Sequence, residues 1–133
     1  MSNKPPITVS RLDAQRLEAL LSRAPDSDVV DALEQELLRA TLVPAAEMPD
    51  TVVTMNSRVK CREEVGGREY TLTLVYPDEA GPSKVSVLAP VGAALLGLSV
   101  GQSIDWPGPG GKPLRMKILE LEYQPEAAGD REL

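Results

Sequence analysis

The sequence predicts an α+β protein in which two helices come first and a mostly β unit follows. Between residues 11 and 40, apolar residues recur at three- and four-residue steps, the spacing of one helical face. From residue 52 onward, short β-branched and alternating runs are separated by Gly- and Pro-containing turns, which is typical of strands. The stretch VPAAEMPD at 43–50 carries two prolines and marks the change between the two patterns.

The first predicted helix begins at Arg11 and reaches about Ala24, where Pro25 ends it. Ser10 can act as its N-cap, and Asp13 three residues later makes a capping-box-like start. The apolar residues that share one face of this helix are Leu17, Leu20, Leu21 and Ala24.

A second helix is predicted directly after the first, with Asp26, Ser27 or Asp28 as its cap. Its apolar face consists of Val30, Leu33, Leu37 and Ala40. The connection RAPDSD is short enough to make the two helices neighbours. We therefore predict an antiparallel helical hairpin, a short coiled coil.

The sequence pattern of the remainder of the chain predicts strands and one short helix. In chain order the predicted strands are VVTM, SRVKCRE, REYTLTLVY, KVSVLAP, SIDW and PLRMKILELEY. Gly66 and Gly67 indicate a turn between the second and third of these. Pro90 suits the first turn of a short helix, and Gly97 suits its C-terminal end. In the closing strand, one face is predicted to carry Leu119, Leu121 and Tyr123.

The composition excludes several classes of function. The 133 residues carry a net charge of −6, which disfavours autonomous nucleic-acid binding and suits a basic protein surface. The chain has no His and a single Cys, so a disulfide within the chain and a Cys/His metal cluster are both impossible. No run approaches the ~20 apolar residues of a membrane span, and the N-terminus lacks the apolar segment of a signal peptide. We expect a soluble, cytoplasmic protein without membrane contact, metal or cofactor. Because Phe is absent, its core should be aliphatic.

The acidic residues at the predicted hairpin tip have two interpretations. Asp26, Asp28 and Asp31 could hold Mg²⁺ through carboxylate oxygens. Asp is also favoured at the start of a helix, where it caps free N–H groups and complements the helix dipole. We favour the capping role and expect no metal.

Two other motifs lack residues that their chemistry requires. Gly111 and Lys112 supply only the middle of a phosphate-binding P-loop, because Trp106 and Pro113 stand where Gly and Ser or Thr are needed. The cluster PGPGG therefore predicts a turn. Cys61 lies between two cations that could lower its pKa, but without a His to act as base we expect no catalytic role.

The stretch VSVLAPVGAALLGLSVGQSIDWPGPGG, at 85–111, holds almost no charge and carries a recognisable pattern. Its short helix is apolar on nearly every side, and a helix this short can bury only one face in its own domain, so some Leu or Ala should remain outside. Trp106 either packs in the core or contacts a partner. Followed by KILELEY, the stretch resembles the C-terminal domain of the bacterial Gre transcript-cleavage factors. TMNSRV at 54–59 and DWPGPGG are similar to the Rnk branch of that superfamily, the regulators of nucleoside diphosphate kinase, although Ala89 replaces the usual Ser before Pro90.

The resemblance implies a fold and a partner. It implies a helical hairpin over 1–43, a Gre C-terminal, FKBP-like β half-barrel with one short helix over 44–124, and a flexible tail over 125–133. It also implies a monomeric, non-enzymatic regulator that docks on RNA polymerase at the rim of the secondary channel and competes there with Gre factors. DNA and RNA would be reached only through the polymerase, and nucleoside diphosphate kinase levels would change indirectly. The predicted docking residues are Pro90, Val91, Leu95, Leu96, Trp106 and Pro107.

Two alternatives remain beside this interpretation. A peptidyl-prolyl isomerase is suggested by fold analogy alone, and a chain this poor in aromatic residues can hardly line its proline pocket. An active cleavage-stimulating factor would use acidic residues at a long hairpin tip to hold a metal in the polymerase active site. Here the first helix spans only ~20 Å at about 1.5 Å per residue, roughly half of a Gre arm or less. We therefore expect binding without stimulated transcript cleavage.

Overall fold

The computed structural model describes residues 7–64, 66–107 and 113–129, with backbone alone at 90, 104, 106, 107, 113 and 114. Two helices come first, as predicted: α1 is Arg11–Arg23 and α2 is Asp28–Arg39. Ser10 Oγ accepts a hydrogen bond from the Asp13 N–H at 3.0 Å, and Ser27 Oγ accepts one from the Val30 N–H at 3.1 Å. These N-caps pair N–H groups that have no partner inside the helix. The antiparallel hairpin itself stays a prediction.

A short pair of parallel strands joins the two ends of the helix pair. β1 is Thr8–Ser10 and β2 is Thr41–Val43, with Val9 opposite Leu42. Neither strand was predicted, because three residues are too few to show an alternating pattern. The Thr41 N–H donates to the Ile7 carbonyl at 3.0 Å, so the chain leaves α2 beside the point where it entered α1.

The described residues also form a five-stranded sheet in the order β5-β4-β3-β7-β6. Its strands are β3 Arg58–Glu63, β4 Glu69–Val75, β5 Lys84–Ser86, β6 Ser103–Pro107 and β7 Pro113–Tyr123. Neighbouring strands are antiparallel, except that β4 and β5 are parallel. Gly67 has a φ of +70° in the predicted turn between β3 and β4, a conformation that glycine adopts without strain. The predicted turn at PGPGG falls on 107–111, most of which lies outside the described residues. The fold is thus a mixed helix-and-sheet one, and the FKBP-like half-barrel stays a prediction.

Helix α3, Pro90–Leu95, connects β5 to β6 and lies very close to the preceding chain. A Cβ atom at Gly92 would come within 2.0 Å of the Ser86 carbonyl oxygen, so only glycine fits there. Gly97 follows the helix with a φ of +81°, and a Cβ there would meet Ile7 Cβ at 2.6 Å. The two glycines therefore let α3 pack against β5 on one side and let the chain entering β1 approach on the other.

Two sequence-based expectations about secondary structure were wrong. VVTM is not a strand: residues 52–55 are all buried, and Val53 exchanges hydrogen bonds with residues 97 and 98. In β7 the register against β3 shifts twice, at Leu119 and again at Glu122. The inward side chains are therefore Met116 and Ile118 before the first shift and Leu121 between the two shifts, where it packs against the core. A short helix α4, Pro125–Ala128, follows β7, and the flexibility of the tail stays a prediction.

The core is aliphatic and is shared by helices and sheet. One cluster of buried residues contains side chains from the helix pair, from α3 and from the sheet, including Leu17, Leu33, Val59, Leu74, Leu95 and Ile118. The largest fully buried side chains among the described residues are Leu, Met, Ile and Val. Because the helix pair and the sheet bury their apolar faces against the same cluster, the predicted boundary at residue 43 stays a prediction.

Candidate functional site

An apolar pocket of about 250 Å³ opens between the sheet and α3. The residues that line it come from four strands and the start of the helix: Glu63, Tyr70, Leu72, Val85, Val91 and Met116. Tyr70 and Leu72 are successive inward residues of β4, and Val85 is opposite Leu74 in the parallel pair of β4 and β5. Gly92 lets α3 sit low enough on β5 to bring Val91 to the same opening. Met116 is buried at the pocket, whereas the other apolar lining residues remain half-exposed.

This pocket is suited to packing rather than to bond-making chemistry. Its apolar residues stay partly open to solvent, which costs free energy unless another surface covers them. Glu63 is the one carboxylate among its lining residues, and no described lining residue is a nucleophile with a base beside it. The geometry therefore favours the insertion of an apolar side chain from another molecule.

The structure divides the six predicted docking residues into three groups. Val91 lines the pocket and is half-exposed. Leu95 and Leu96 are 0% and 3% exposed, so the prediction that they supply contact surface is wrong. The short helix turns these two leucines into the core, and no partner can reach them in this fold. Pro90, Trp106 and Pro107 belong to α3 and β6, but their side chains lie outside the described residues.

The three acidic residues Asp26, Asp28 and Asp31 are exposed around the start of α2. Ser27, rather than an Asp, supplies the side-chain cap, and Asp28 and Asp31 occupy the first helical turn, where negative charge is favourable. Within the described part of the chain, no group of three or more His, Cys, Asp or Glu is placed to hold a metal ion. The role of Asp26, Asp28 and Asp31 in a complex stays a prediction.

Cys61 is fully buried, and burial raises the pKa of its thiol to about 11. The sequence suggested a lowered pKa, because Lys60 and Arg62 flank it. Neighbours along a strand point to opposite faces, however, so the two cations lie on the outer face while the thiol points into the core. Lys60 instead approaches Glu69 at 3.7 Å across the sheet.

The comparisons with known proteins agree with this arrangement of elements. Residues 48–123 match the family model "Transcription elongation factor, GreA/GreB, C-term", and residues 5–43 match "Rnk N-terminus". The chain is 51% identical to the regulator of nucleoside diphosphate kinase of Escherichia coli K12 over 96% of its own length and 97% of that protein's. The chain belongs to the Rnk branch of the GreA/GreB family.

Two further relatives extend this result to structure and to other members of the family. A solved structure, "Prokaryotic transcription elongation factor GreA/GreB from Nitrosomonas europaea", is 52% identical and superposes with a TM-score of 0.73 over 90% of this chain and all of that one. The transcription elongation factor GreA of Syntrophomonas wolfei is 33% identical over 68% of this chain and 58% of its own length. In this Rnk-type chain the pocket falls within the residues that match the GreA/GreB C-terminal model.

A polar cluster links α1 to the segment just before β3 and to α4. The carboxylate of Asp13 on α1 accepts a hydrogen bond from the Met55 N–H at 3.2 Å. Burial raises the pKa of Asp13 to about 6, and the nearby Glu126 adds to the rise, whereas the Met55 N–H and Arg16 oppose it. Glu126 also accepts a hydrogen bond from Thr54 Oγ1 at 2.7 Å. Sequence reasoning missed this junction, because its members are far apart in the chain.

Sequence reasoning also missed most of the pocket. The sequence predicted a strand at REYTLTLVY, but nothing in the sequence shows that Tyr70 and Leu72 meet Val85 and Met116. The available signal was the alternation in REYTLTLVY, which identifies an inward face without saying whether that face is covered.

Proposed function

We propose that this chain binds RNA polymerase at the rim of the secondary channel through the pocket between the sheet and α3. The observation that carries the proposal is an open apolar pocket, lined by Tyr70, Leu72, Val85 and Val91, inside the part that matches the GreA/GreB C-terminal model. Interfaces owe most of their affinity to a few side chains that fill well-packed, desolvated pockets. Val91, one of the docking residues predicted from the sequence, belongs to this proposed docking site, whereas Leu95 and Leu96 do not.

The same proposal includes competition with Gre factors without stimulation of transcript cleavage. α1 has 13 residues, which corresponds to roughly 20 Å at about 1.5 Å per residue. A predicted hairpin of that length, anchored at the channel rim, would hold Asp26, Asp28 and Asp31 short of the polymerase active site. A carboxylate displaced from the reacting phosphate cannot position its metal. The protein would then act by occupancy, as a monomer in the cytoplasm, and would alter nucleoside diphosphate kinase levels only through transcription.

The isomerase alternative gains no support from the site. Among the described residues that line the pocket only Tyr70 is aromatic, whereas a proline-binding pocket needs several aromatic walls. A non-enzymatic role is therefore part of the proposal.

Competition for core RNA polymerase tests the docking site. Labelled chain should bind the polymerase and be displaced by a GreA protein. Val91→Ser and Leu72→Ser should weaken this binding by roughly 30-fold, the equivalent of ~2 kcal/mol at an interface hot spot. Val100→Ser is the matched control, because Val100 is 40% exposed and does not line the pocket. Circular dichroism must show an intact fold in each variant. Simultaneous binding of both proteins, or folded pocket variants that bind like the control, would refute the proposed site.

Cleavage of backtracked transcription complexes tests the mechanism. The chain alone should leave the cleavage rate unchanged, and titration against a GreA protein should lower the GreA-stimulated rate. Mg²⁺-dependent cleavage with this chain alone, abolished by Asp28→Ala, would show instead that the tip is catalytic.

A further inference from the structure

The outer face of the helix pair carries a second apolar feature, separate from the pocket at the sheet. Leu38 on α2 is 80% exposed, the largest exposure among the large hydrophobic residues that the structure describes. It lies on a groove of about 250 Å³ between α1 and α2. The groove is lined by Glu18, Leu21, Ser22, Glu34, Leu37 and Leu38.

Leu38 contributes little to the fold itself. The apolar residues on the core-facing side of α2 are Val30 and Leu33, and Leu37 packs against the edge of the core. Leu38 lies outside this apolar face. Leu21 is buried and forms the floor of the groove. A leucine left in water loses about 2 kcal/mol relative to burial, so this position favours a complex in which the side chain is covered.

The charges around the groove restrict what can cover it. The carboxylates of Glu18 and Glu34 are exposed on opposite helices at its two walls, and none of its lining residues is basic. The C-terminal turn of α2 adds partial negative charge from carbonyl groups. The nearby cations are directed elsewhere: Arg39 is bonded to Glu36, and Arg23 lines a different groove, of about 580 Å³.

We propose that this groove, defined by Leu38 between Glu18 and Glu34, binds a basic amphipathic helix of a partner protein. An apolar side chain of that helix would pack on Leu38 and Leu37, and Lys or Arg residues one turn to either side would meet the two carboxylates. A second copy of this chain fits less well, because a symmetric contact at Leu38 would oppose glutamates to glutamates. An anionic lipid surface is disfavoured by the same charges. The groove is distinct from the pocket beside α3, so the inference does not depend on polymerase docking there.

The test uses the full chain labelled with ¹⁵N and a synthetic Leu/Lys amphipathic helical peptide as the probe. The expected result is peptide binding, with amide shifts centred on the groove residues and an affinity that falls as salt is raised. Leu38→Ser should weaken binding about 30-fold, as expected for the loss of one buried leucine contact. Val100→Ser is the matched control for surface apolarity, since it removes another exposed hydrophobic residue.

A second pair of variants separates the groove from the net negative charge of the chain. Glu18→Gln with Glu34→Gln removes two groove carboxylates, and Glu47→Gln with Asp50→Asn removes two exposed carboxylates outside the groove. The first pair should weaken peptide binding several-fold more than the second. Equal effects of the two pairs, amide shifts away from the groove, or equal binding of a Leu/Glu peptide would overturn the proposal.

Two other outcomes would also overturn it. Dimerisation of the free chain that Leu38→Ser abolishes would show that a second copy covers the groove. Binding to phosphatidylglycerol vesicles that needs Leu38 would assign the groove to a membrane surface. Because Leu38 is exposed, Leu38→Ser is expected to fold like the parent chain, and its circular dichroism spectrum checks this.

Discussion

Replacement of Asp13 by Asn should stabilise the protein at neutral pH and have little effect in acid. Asp13 is buried where α1 meets the segment around Met55, and its pKa of about 6 compares with an ordinary value of 3.8. The raised pKa means that the folded protein disfavours the ionised carboxylate. Asn keeps a side-chain oxygen that can accept the Met55 N–H bond and carries no charge near Glu126.

The magnitude follows from the two pKa values. Each pKa unit corresponds to about 1.4 kcal/mol, so ionisation of Asp13 lowers the free energy of unfolding by up to about 3 kcal/mol. Well below pH 4 the carboxyl is protonated in both states, and this penalty is absent. Between pH 4 and 6 the unfolded chain ionises first, so the folded state binds more protons and its stability falls as pH rises. Above pH 6 the penalty is fully present. An Asn variant that matches the parent chain in acid therefore gains about 3 kcal/mol over it at pH 8.

Urea unfolding followed by circular dichroism, at pH values from 4 to 8, measures this difference. The free energy of unfolding of Asp13→Asn minus that of the parent chain should rise through pH 4 to 6 and then level off. Asp26→Asn is the control, since Asp26 is exposed. A difference that does not change with pH, or an Asp13→Asn variant clearly less stable than the parent at pH 8, would show that the buried carboxylate is held in a favourable charged state.

Four further predictions concern single residues. Gly92→Ala should cost more than about 2 kcal/mol in urea unfolding, because its Cβ would lie 2.0 Å from the Ser86 carbonyl oxygen; an unchanged midpoint would mean that α3 shifts freely. Cys61 should not react with Ellman's reagent at pH 8 until urea is added, since the thiol is buried; prompt reaction in the native protein would place it at the surface. Ser27→Ala should cost about 1 kcal/mol through loss of the α2 cap, and a neutral result would assign the cap to another side chain. Gln124→Ala should cost about 2 kcal/mol, since its amide donates to two backbone carbonyls and its oxygen caps α4; if stability is retained, water replaces these bonds.

The burial of α3 shows that a local sequence pattern can predict the wrong residues as exposed. AALLGL is apolar on nearly every side, so the sequence could not show which leucines face outward. In the structure the helix is covered by the sheet on one side and by the chain entering β1, next to Gly97, on another. Leu95 and Leu96 are therefore buried, and the open apolar surface lies at Val91 and on the inner face of β4.

The sequence by itself determined the elements that depend on neighbours a few residues apart. The caps at Ser10 and Ser27, the glycine turn at Gly67 and the aliphatic core follow from local hydrogen bonding, backbone sterics and composition. Only the tertiary structure decided the pocket, the junction at Asp13 and the inward side chains of β7. These depend on which strands lie side by side and on where a bulge shifts the register, and such pairings between distant residues leave no periodic trace in the chain.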